Sequence, residues 1–289
     1  MAGFKGVFPA LVTPFKENGE INAKAMEQLV KLNLEKGVSG FYVGGSTAES
    51  FMLSPEERKY ALEIVVDAVG GKAEVIANIG IFSTQQAIDL AKHAEKLCVS
   101  AISSVPPFYF TFNMREYYRY YSDILAEVSL PMLIYNVPAM SGVNFTERDF
   151  DQFFQHERII GVKYTSYDLF LMQKLIQKYP DKTILIGHDE IYLSALAAGA
   201  KALIGSTVGL MAEKFIRIEA LFLAGKLEEA LHIQGEVNQI VSVLVKIGVF
   251  KGIKAALELR GIPCGTCRKP FQPLDDEELQ MLKDVLKLL

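Results

Sequence analysis

The residue of this chain with most chemistry to offer is a lysine set in an apolar run. Lys163 closes Ile159-Ile160-Gly161-Val162-Lys163 and is followed by Tyr164-Thr165-Ser166. An ammonium group in apolar surroundings is costly unless it is paired or neutral. Burial lowers its pKa and frees the amine as a nucleophile that can form a Schiff base with a ketone. The plainer use is an ion pair, or a side chain that snorkels to a rim. Tyr135, in Tyr135-Asn136-Val137-Pro138, offers a hydroxyl that can relay a proton, or simply a half-buried ring with its hydroxyl satisfied. In Gly44-Gly45-Ser46-Thr47-Ala48-Glu49, two glycines let the backbone approach a ligand closely. The N–H groups and hydroxyls of Ser46 and Thr47 can converge on an anion such as a carboxylate, although a tight capped turn reads the same way. Gly187-His188-Asp189-Glu190 carries adjacent carboxylates that can accept hydrogen bonds from a polyol, bind a metal or cap a helix. Gly205-Ser206-Thr207 is a second small turn bearing hydroxyls. Nucleophile, proton relay and carboxylate clamp are together what covalent ketone chemistry requires.

These segments share a place in the chain's rhythm. Short β-rich runs alternate with amphipathic helical stretches, and each candidate follows or ends a run. The runs are Val7–Val12, Ser39–Val43, Glu74–Asn78, Val99–Val105, Pro131–Tyr135, Arg158–Lys163, Thr183–Ile186 and Lys201–Ile204. Helical patterns span Asn22–Glu35, start at Ser54-Pro55 and Ser83-Thr84, and continue over Met114–Val128, from Thr146-Glu147, and over Tyr167–Tyr179, Glu190–Ala198 and Met211–Leu223. Alternating βα units predict a parallel sheet. Eight of them, with no G-x-G-x-x-G or Walker A pattern, favour a (β/α)₈ TIM barrel over a doubly wound sheet. Residues 1–225 are expected to form the barrel. Residues 226–289 read as helices only (Leu227–Ile247, Phe250–Leu259, Asp275–Leu289) and are expected to pack on it as a C-terminal extension. In such a barrel the active site lies at the C-terminal ends of the strands, where all the candidates above fall.

Composition narrows the partners. Of 289 residues, 30 are Lys or Arg and 34 are Asp or Glu, a net charge of −4 that argues against a nucleic-acid binder relying on a basic surface. No apolar run approaches the roughly 18–20 residues of a membrane span, and Met1–Phe15 lacks the pattern of a secretory signal. Three cysteines, Cys98, Cys264 and Cys267, are too few for a disulfide framework, so the cytosol is the expected compartment. Cys264-Gly265-Thr266-Cys267 has redox or zinc spacing but no second pair, and is read as two packed thiols. His93, His156, His188 and His232 are scattered, and no metal site is expected. Phe108, Tyr109, Phe110, Phe112, Tyr117, Tyr118, Tyr120 and Tyr121 are too many aromatics to hide in one loop and helix, which points to a subunit interface.

Taken in order, Thr13-Pro14-Phe15, Gly44-Gly45-Ser46-Thr47, Tyr135-Asn136-Val137-Pro138, Gly161-Val162-Lys163, Gly205-Ser206-Thr207 and Cys267-Arg268-Lys269-Pro270 resemble the class I aldolases of the dihydrodipicolinate synthase/N-acetylneuraminate lyase superfamily, from Gly6 to the C-terminal helix. Ala139-Met140 stand where the synthase branch carries an arginine, so the resemblance is to the lyase branch. It implies reversible cleavage of N-acetylneuraminate to N-acetylmannosamine and pyruvate. Lys163 would carry the Schiff base, and Tyr135 would relay the proton of the C4 hydroxyl. Ser46 and Thr47 would hold the α-carboxylate. Ser46 would link Tyr135 to Tyr109 of a neighbouring subunit in a homotetramer. Thr165, Gly187, Asp189, Glu190, Gly205 and Ser206 would line the sugar pocket. No cofactor or metal is implied, since the iminium is the electron sink. Ala48 replaces a usual glycine, a concern if that position needs positive φ, and Val208-Gly209 depart from the lyase pattern beside the sugar pocket. The alternatives are an aldolase of another 2-keto-3-deoxy sugar acid, a non-catalytic paralogue that binds keto or sugar acids, and a metal-dependent barrel hydrolase.

Overall fold

The computed structural model describes residues 3–289. The apolar runs become the strands β1 Gly6–Pro9, β2 Gly40–Val43, β3 Glu74–Asn78, β4 Ala101–Ser104, β5 Met132–Asn136, β6 Ile159–Tyr164, β7 Thr183–Ile186 and β8 Ala202–Gly205. They form one 8-stranded sheet in which β1 lies beside β8 and the rest follow in chain order to β2. Every strand pairing is parallel. The seam between β1 and β2 is tied by a bridge at Ala10 and Tyr42, with Leu11 N–H donating to Tyr42 O at 3.0 Å and Ser39 N–H to Val7 O at 2.9 Å. The molecule is a (β/α)₈ TIM barrel with helices at its C-terminal end.

The helices are α1 Ala23–Glu35, α2 Pro55–Val69, α3 Thr84–Lys96, α4 Met114–Glu127, α5 Pro138–Ser141, α6 Glu147–Phe153, α7 Leu169–Lys178, α8 Tyr192–Ala197, α9 Val208–Leu223, α10 Leu227–Ile247, α11 Val249–Leu259 and α12 Asp276–Val285. Their starts are set by side chains that satisfy first-turn N–H groups. Ser54 with Glu57, Asn113 with Glu116 and Asp275 with Glu278 form reciprocal capping boxes. Asp168 caps α7, which leaves Tyr167 outside the helix.

Two apolar layers result. Residues that alternate inward along the strands, among them Phe8, Tyr42, Ile76, Leu133, Tyr135 and Leu185, fill the barrel. A larger cluster lies between strands and helices and continues into α10 and α11 through Val237, Ile240, Leu244, Ile253 and Leu257. Among the described residues no helix is long and apolar enough to cross a membrane.

The differences from the sequence reading have local causes. β1 stops at Pro9; Ala10 N–H still donates to Gly205 O of β8 at 2.9 Å, Leu11 turns to Tyr42, and Ala10 to Val12 stay buried. α9 begins at Val208 rather than Met211, and Met211 is its kink. The crowded aromatics divide: Tyr117, Tyr120 and Tyr121 of α4 bury against their own barrel, and only the preceding loop exposes Tyr109 and Phe110. Cys264 and Cys267 are buried free thiols, each pushed up to about 12 by burial.

Candidate active site

Register alone brings the central pair together. β5 pairs with β6 so that Tyr135 lies opposite Lys163, both directed into the barrel by strand alternation. Lys163 is 4% exposed. Its Nζ sits 4.0 Å from the ring centroid of Tyr42 and 4.1 Å from that of Tyr135. The two rings meet edge to face at 5.9 Å, and the Tyr42 hydroxyl donates to Ser103 Oγ at 3.1 Å. Burial drives the Lys163 pKa down, against the opposing pull of Tyr135 and the charge of Asp189. The lysine thus sits buried in an aromatic sleeve, and burial shifts it toward the free amine.

The loop after β2 closes one side. Gly44 takes φ 74°, and Ser46–Ala48 form a single 3-10 turn. Ser46 Oγ lies 3.5 Å from the Tyr135 hydroxyl, and Thr47 Oγ1 lies 2.8 Å from Ser206 Oγ. The left-handed residue is Glu49, at φ 58°, so the alanine at 48 meets no conformational penalty there. The Thr13 hydroxyl donates to Ala48 O at 2.9 Å. The Asn78 amide donates to Gly44 O at 2.7 Å. Behind it the buried Arg58, its pKa lowered to about 10 by burial, donates to Asn78 O and Gly80 O at 2.8 and 3.0 Å. Glu49 itself is anchored from the far end of the chain. Its carboxylate pairs with Lys254 Nζ at 2.5 Å, both side chains almost wholly buried, and accepts from Arg268 N–H at 2.7 Å. Lys254 and the Arg268 guanidinium both lie over the Phe15 ring.

Beside this loop is a cavity of about 170 Å³ whose lining includes Ser46, Asn78, Tyr135, Val137, Ser141 and Phe250. Lys163 adjoins it through Tyr135 and is not itself part of the lining.

The opposite side comes from β6, β7 and β8. Asp189 was open to a capping role, but no side-chain cap forms there. Its carboxylate is buried and accepts from Thr207 N–H at 2.8 Å and Thr207 Oγ1–H at 2.7 Å, while Oδ1 has no protein partner among the described residues. Burial raises Asp189 to about 6 against those two hydrogen bonds. Gly205 makes the approach possible, since a Cβ built there would overlap that carboxylate. A Cβ on Gly187 would likewise overlap the Thr165 hydroxyl, which is buried and has no protein partner among the described residues. Both glycines are thus spacers for neighbouring polar groups. Glu190 is half-buried. Burial raises its pKa, but hydrogen bonds from His188 and Tyr167 outweigh this and hold it at about 2. Val208 is buried in the core, and Gly209 O accepts from Asn33 at 3.2 Å, so this departure serves the packing of α9.

Of the sequence candidates, Ser46, Thr47, Tyr135, Lys163, Thr165, Gly187, Asp189, Glu190, Gly205 and Ser206 come to one end of the barrel. Tyr109 does not join them within the chain. It is 77% exposed and its ring meets Phe82 and Phe110. Tyr42 and Lys254 went unrecognised in the sequence, and Glu49 and Thr207 were named only as members of their turns, without a role of their own. Tyr42 carried one signal, its inward phase on β2, and that phase marks any core aromatic.

The model of the dihydrodipicolinate synthetase family matches residues 3–289. The N-acetylneuraminate lyase of Fusobacterium nucleatum is 36% identical over 284 residues, covering 98% of each chain. The structure of CdNal from Clostridium difficile in complex with mannosamine superposes with a TM-score of 0.96 at 35% identity, covering 99% of each chain. The Fusobacterium lyase complexed with pyruvate superposes with a TM-score of 0.93 at 36% identity, covering 98% of this chain and 96% of that one.

Proposed function

The chain belongs to the dihydrodipicolinate synthetase family, and from that premise we propose that it is a Schiff-base aldolase that reversibly cleaves N-acetylneuraminate to N-acetylmannosamine and pyruvate. The observation that carries this reading is Lys163, buried between the rings of Tyr42 and Tyr135 with its pKa lowered. The pyruvate complex of the Fusobacterium relative supports it.

The Lys163 amine adds to the C2 ketone and water leaves, giving an iminium. Tyr135 takes the C4 hydroxyl proton. The C3–C4 bond breaks, its electron pair enters the iminium to form an enamine, and N-acetylmannosamine departs as an aldehyde. Protonation of the enamine at C3 and hydrolysis release pyruvate and restore the amine. Ser46 and Thr47 hold the carboxylate at the loop after β2. Thr165, Asp189, Glu190 and Ser206 receive the sugar, with Gly187 and Gly205 giving them room. Ser46, within reach of the Tyr135 hydroxyl, links it to Tyr109 of the partner subunit in a homotetramer. The iminium serves as electron sink, so turnover is expected to survive EDTA. The cytosol suits an enzyme with three free cysteines.

The test couples pyruvate release from N-acetylneuraminate to lactate dehydrogenase and traps the pyruvate imine with borohydride. Lys163→Ala should abolish trapping. Tyr135→Phe should retain it while slowing cleavage by about 10²–10⁴-fold. Full trapping in Lys163→Ala, or normal cleavage in Tyr135→Phe, would overturn the assignment of that residue.

A further inference from the structure

Resting on the aldolase reading, we infer that Tyr167 and His188 are positioning residues for the polyol tail of the sugar acid, acting by fixing one orientation of Glu190. Three residues from two loops make a closed triangle at the rim. Tyr167 follows β6, while His188 and Glu190 follow β7. The Tyr167 ring stacks on the His188 ring at 4.1 Å between centroids and 15° between planes. Its hydroxyl donates to Glu190 Oε1 at 2.5 Å, and His188 Nδ1 lies 3.2 Å from the same oxygen.

Core packing does not account for this arrangement. Tyr167 is 66% exposed, and the cap of α7 begins only at the next residue. An exposed tyrosine held by a stack and a short hydrogen bond has given up side-chain freedom without burying a ring. What the arrangement does achieve is control of Glu190. Both side-chain partners engage one oxygen, and among the described residues no other side chain is bonded to Oε2. The carboxylate stays ionised and is held in one rotamer before any ligand arrives. A preordered acceptor spares a ligand the ordering entropy that a free glutamate would lose on binding. The ligand chemistry that gains is a chain of hydroxyl donors extending past the reacting carbons. Asp189, whose buried Oδ1 has no protein partner among the described residues, is the next acceptor in the chain, and its charge opposes the lowering of the Lys163 pKa by burial. Pyruvate and keto acids without a polyol tail are too short to use the device.

The experiment compares wild type, Tyr167→Phe and Tyr167→Ala on N-acetylneuraminate and on its analogue truncated at the glycerol chain, with borohydride trapping of pyruvate in parallel. The phenylalanine variant keeps the stack and loses the donor, while the alanine variant loses both. For N-acetylneuraminate, KM should rise about 5–10-fold in Tyr167→Phe and further in Tyr167→Ala, with kcat within about twofold. KM for the truncated analogue and the yield of trapped pyruvate should not change. An equal rise for both substrates, or no rise, would overturn the positioning role and leave the aldolase reading standing. Wild-type enzyme that traps pyruvate but releases none from N-acetylneuraminate would overturn the sialate assignment and the tail-binding role with it.

Discussion

Asp189 shows how one carboxyl group can be tuned by its setting. Its ordinary pKa of 3.8 is raised to about 6 by burial, against the two hydrogen bonds from Thr207. Its protonation therefore falls inside the working range. If the ionised form receives the sugar hydroxyls, kcat/KM for N-acetylneuraminate should fall below about pH 6, because that ratio reports groups of the free enzyme. Asp189→Asn should lower the plateau and remove the inflection, and a persisting inflection in that variant would assign it elsewhere. The folded chain holds the Asp189 proton more tightly than the unfolded chain does. Its contribution to stability is thus present below about pH 4 and lost as pH rises through about 6. At this scale the sequence was readable where a residue type conflicts with its flank, as Lys163 does among isoleucines and valine. It was not readable where type and flank agree. Tyr42 looks like any strand aromatic, and its place against the amine comes only from barrel closure.

The loop after β2 is organised from outside itself. Ser46 and Thr47 stand in one short turn that ends on a left-handed glutamate, and that glutamate is fixed by Lys254 of α11 and by Arg268 beyond it. Removing one member of a buried ion pair strands the other, at about 3–5 kcal/mol. Lys254→Met should lose about that much stability in urea denaturation and weaken pyruvate trapping. Adding Glu49→Gln should restore part of the stability by removing the stranded charge, and a double variant no more stable than the single one would show that the pair does not carry this energy. Helix starts were legible because their caps are local, as at Ser54 with Glu57. The anchoring of Glu49 was not, since Arg268 lies 219 residues away and only the completed fold brings them together.

The whole barrel leaves an aromatic patch uncovered. Tyr109 and Phe110 stand 77% and 66% exposed beside Phe82, in contact with one another and reaching the half-buried Phe112 and Phe108 only by their edges with Phe110 and Phe82. A second copy of the chain is the occupant that the homotetramer proposal assigns to them. Tyr109→Ala should shift sedimentation toward smaller species and lower kcat with N-acetylneuraminate, while pyruvate trapping persists. Unchanged sedimentation and turnover would remove both the interface and the relay through Tyr109. Eight alternating units made the architecture legible, because parallel strands with helical crossovers have few closed solutions. The division of the aromatics between core and surface fell between α4, which packs Tyr117, Tyr120 and Tyr121 on the barrel, and the loop before it, a boundary that packing sets and composition does not.

The tie between Glu49 and the chain's last helices also has a meaning in time. A ribosome delivers the N-terminal residues first. The loop after β2, to which the proposed function assigns the substrate carboxylate, is therefore synthesised early, and its anchors at Lys254 and Arg268 follow late. Until they emerge, the carboxylate of Glu49 has neither its cation nor its N–H donor, and water must serve in their place. The β5–β6 register that sets Lys163 opposite Tyr135 involves neither of those anchors. A chain truncated after α9 would lack both Lys254 and Arg268, and Glu49 would keep neither of these anchors.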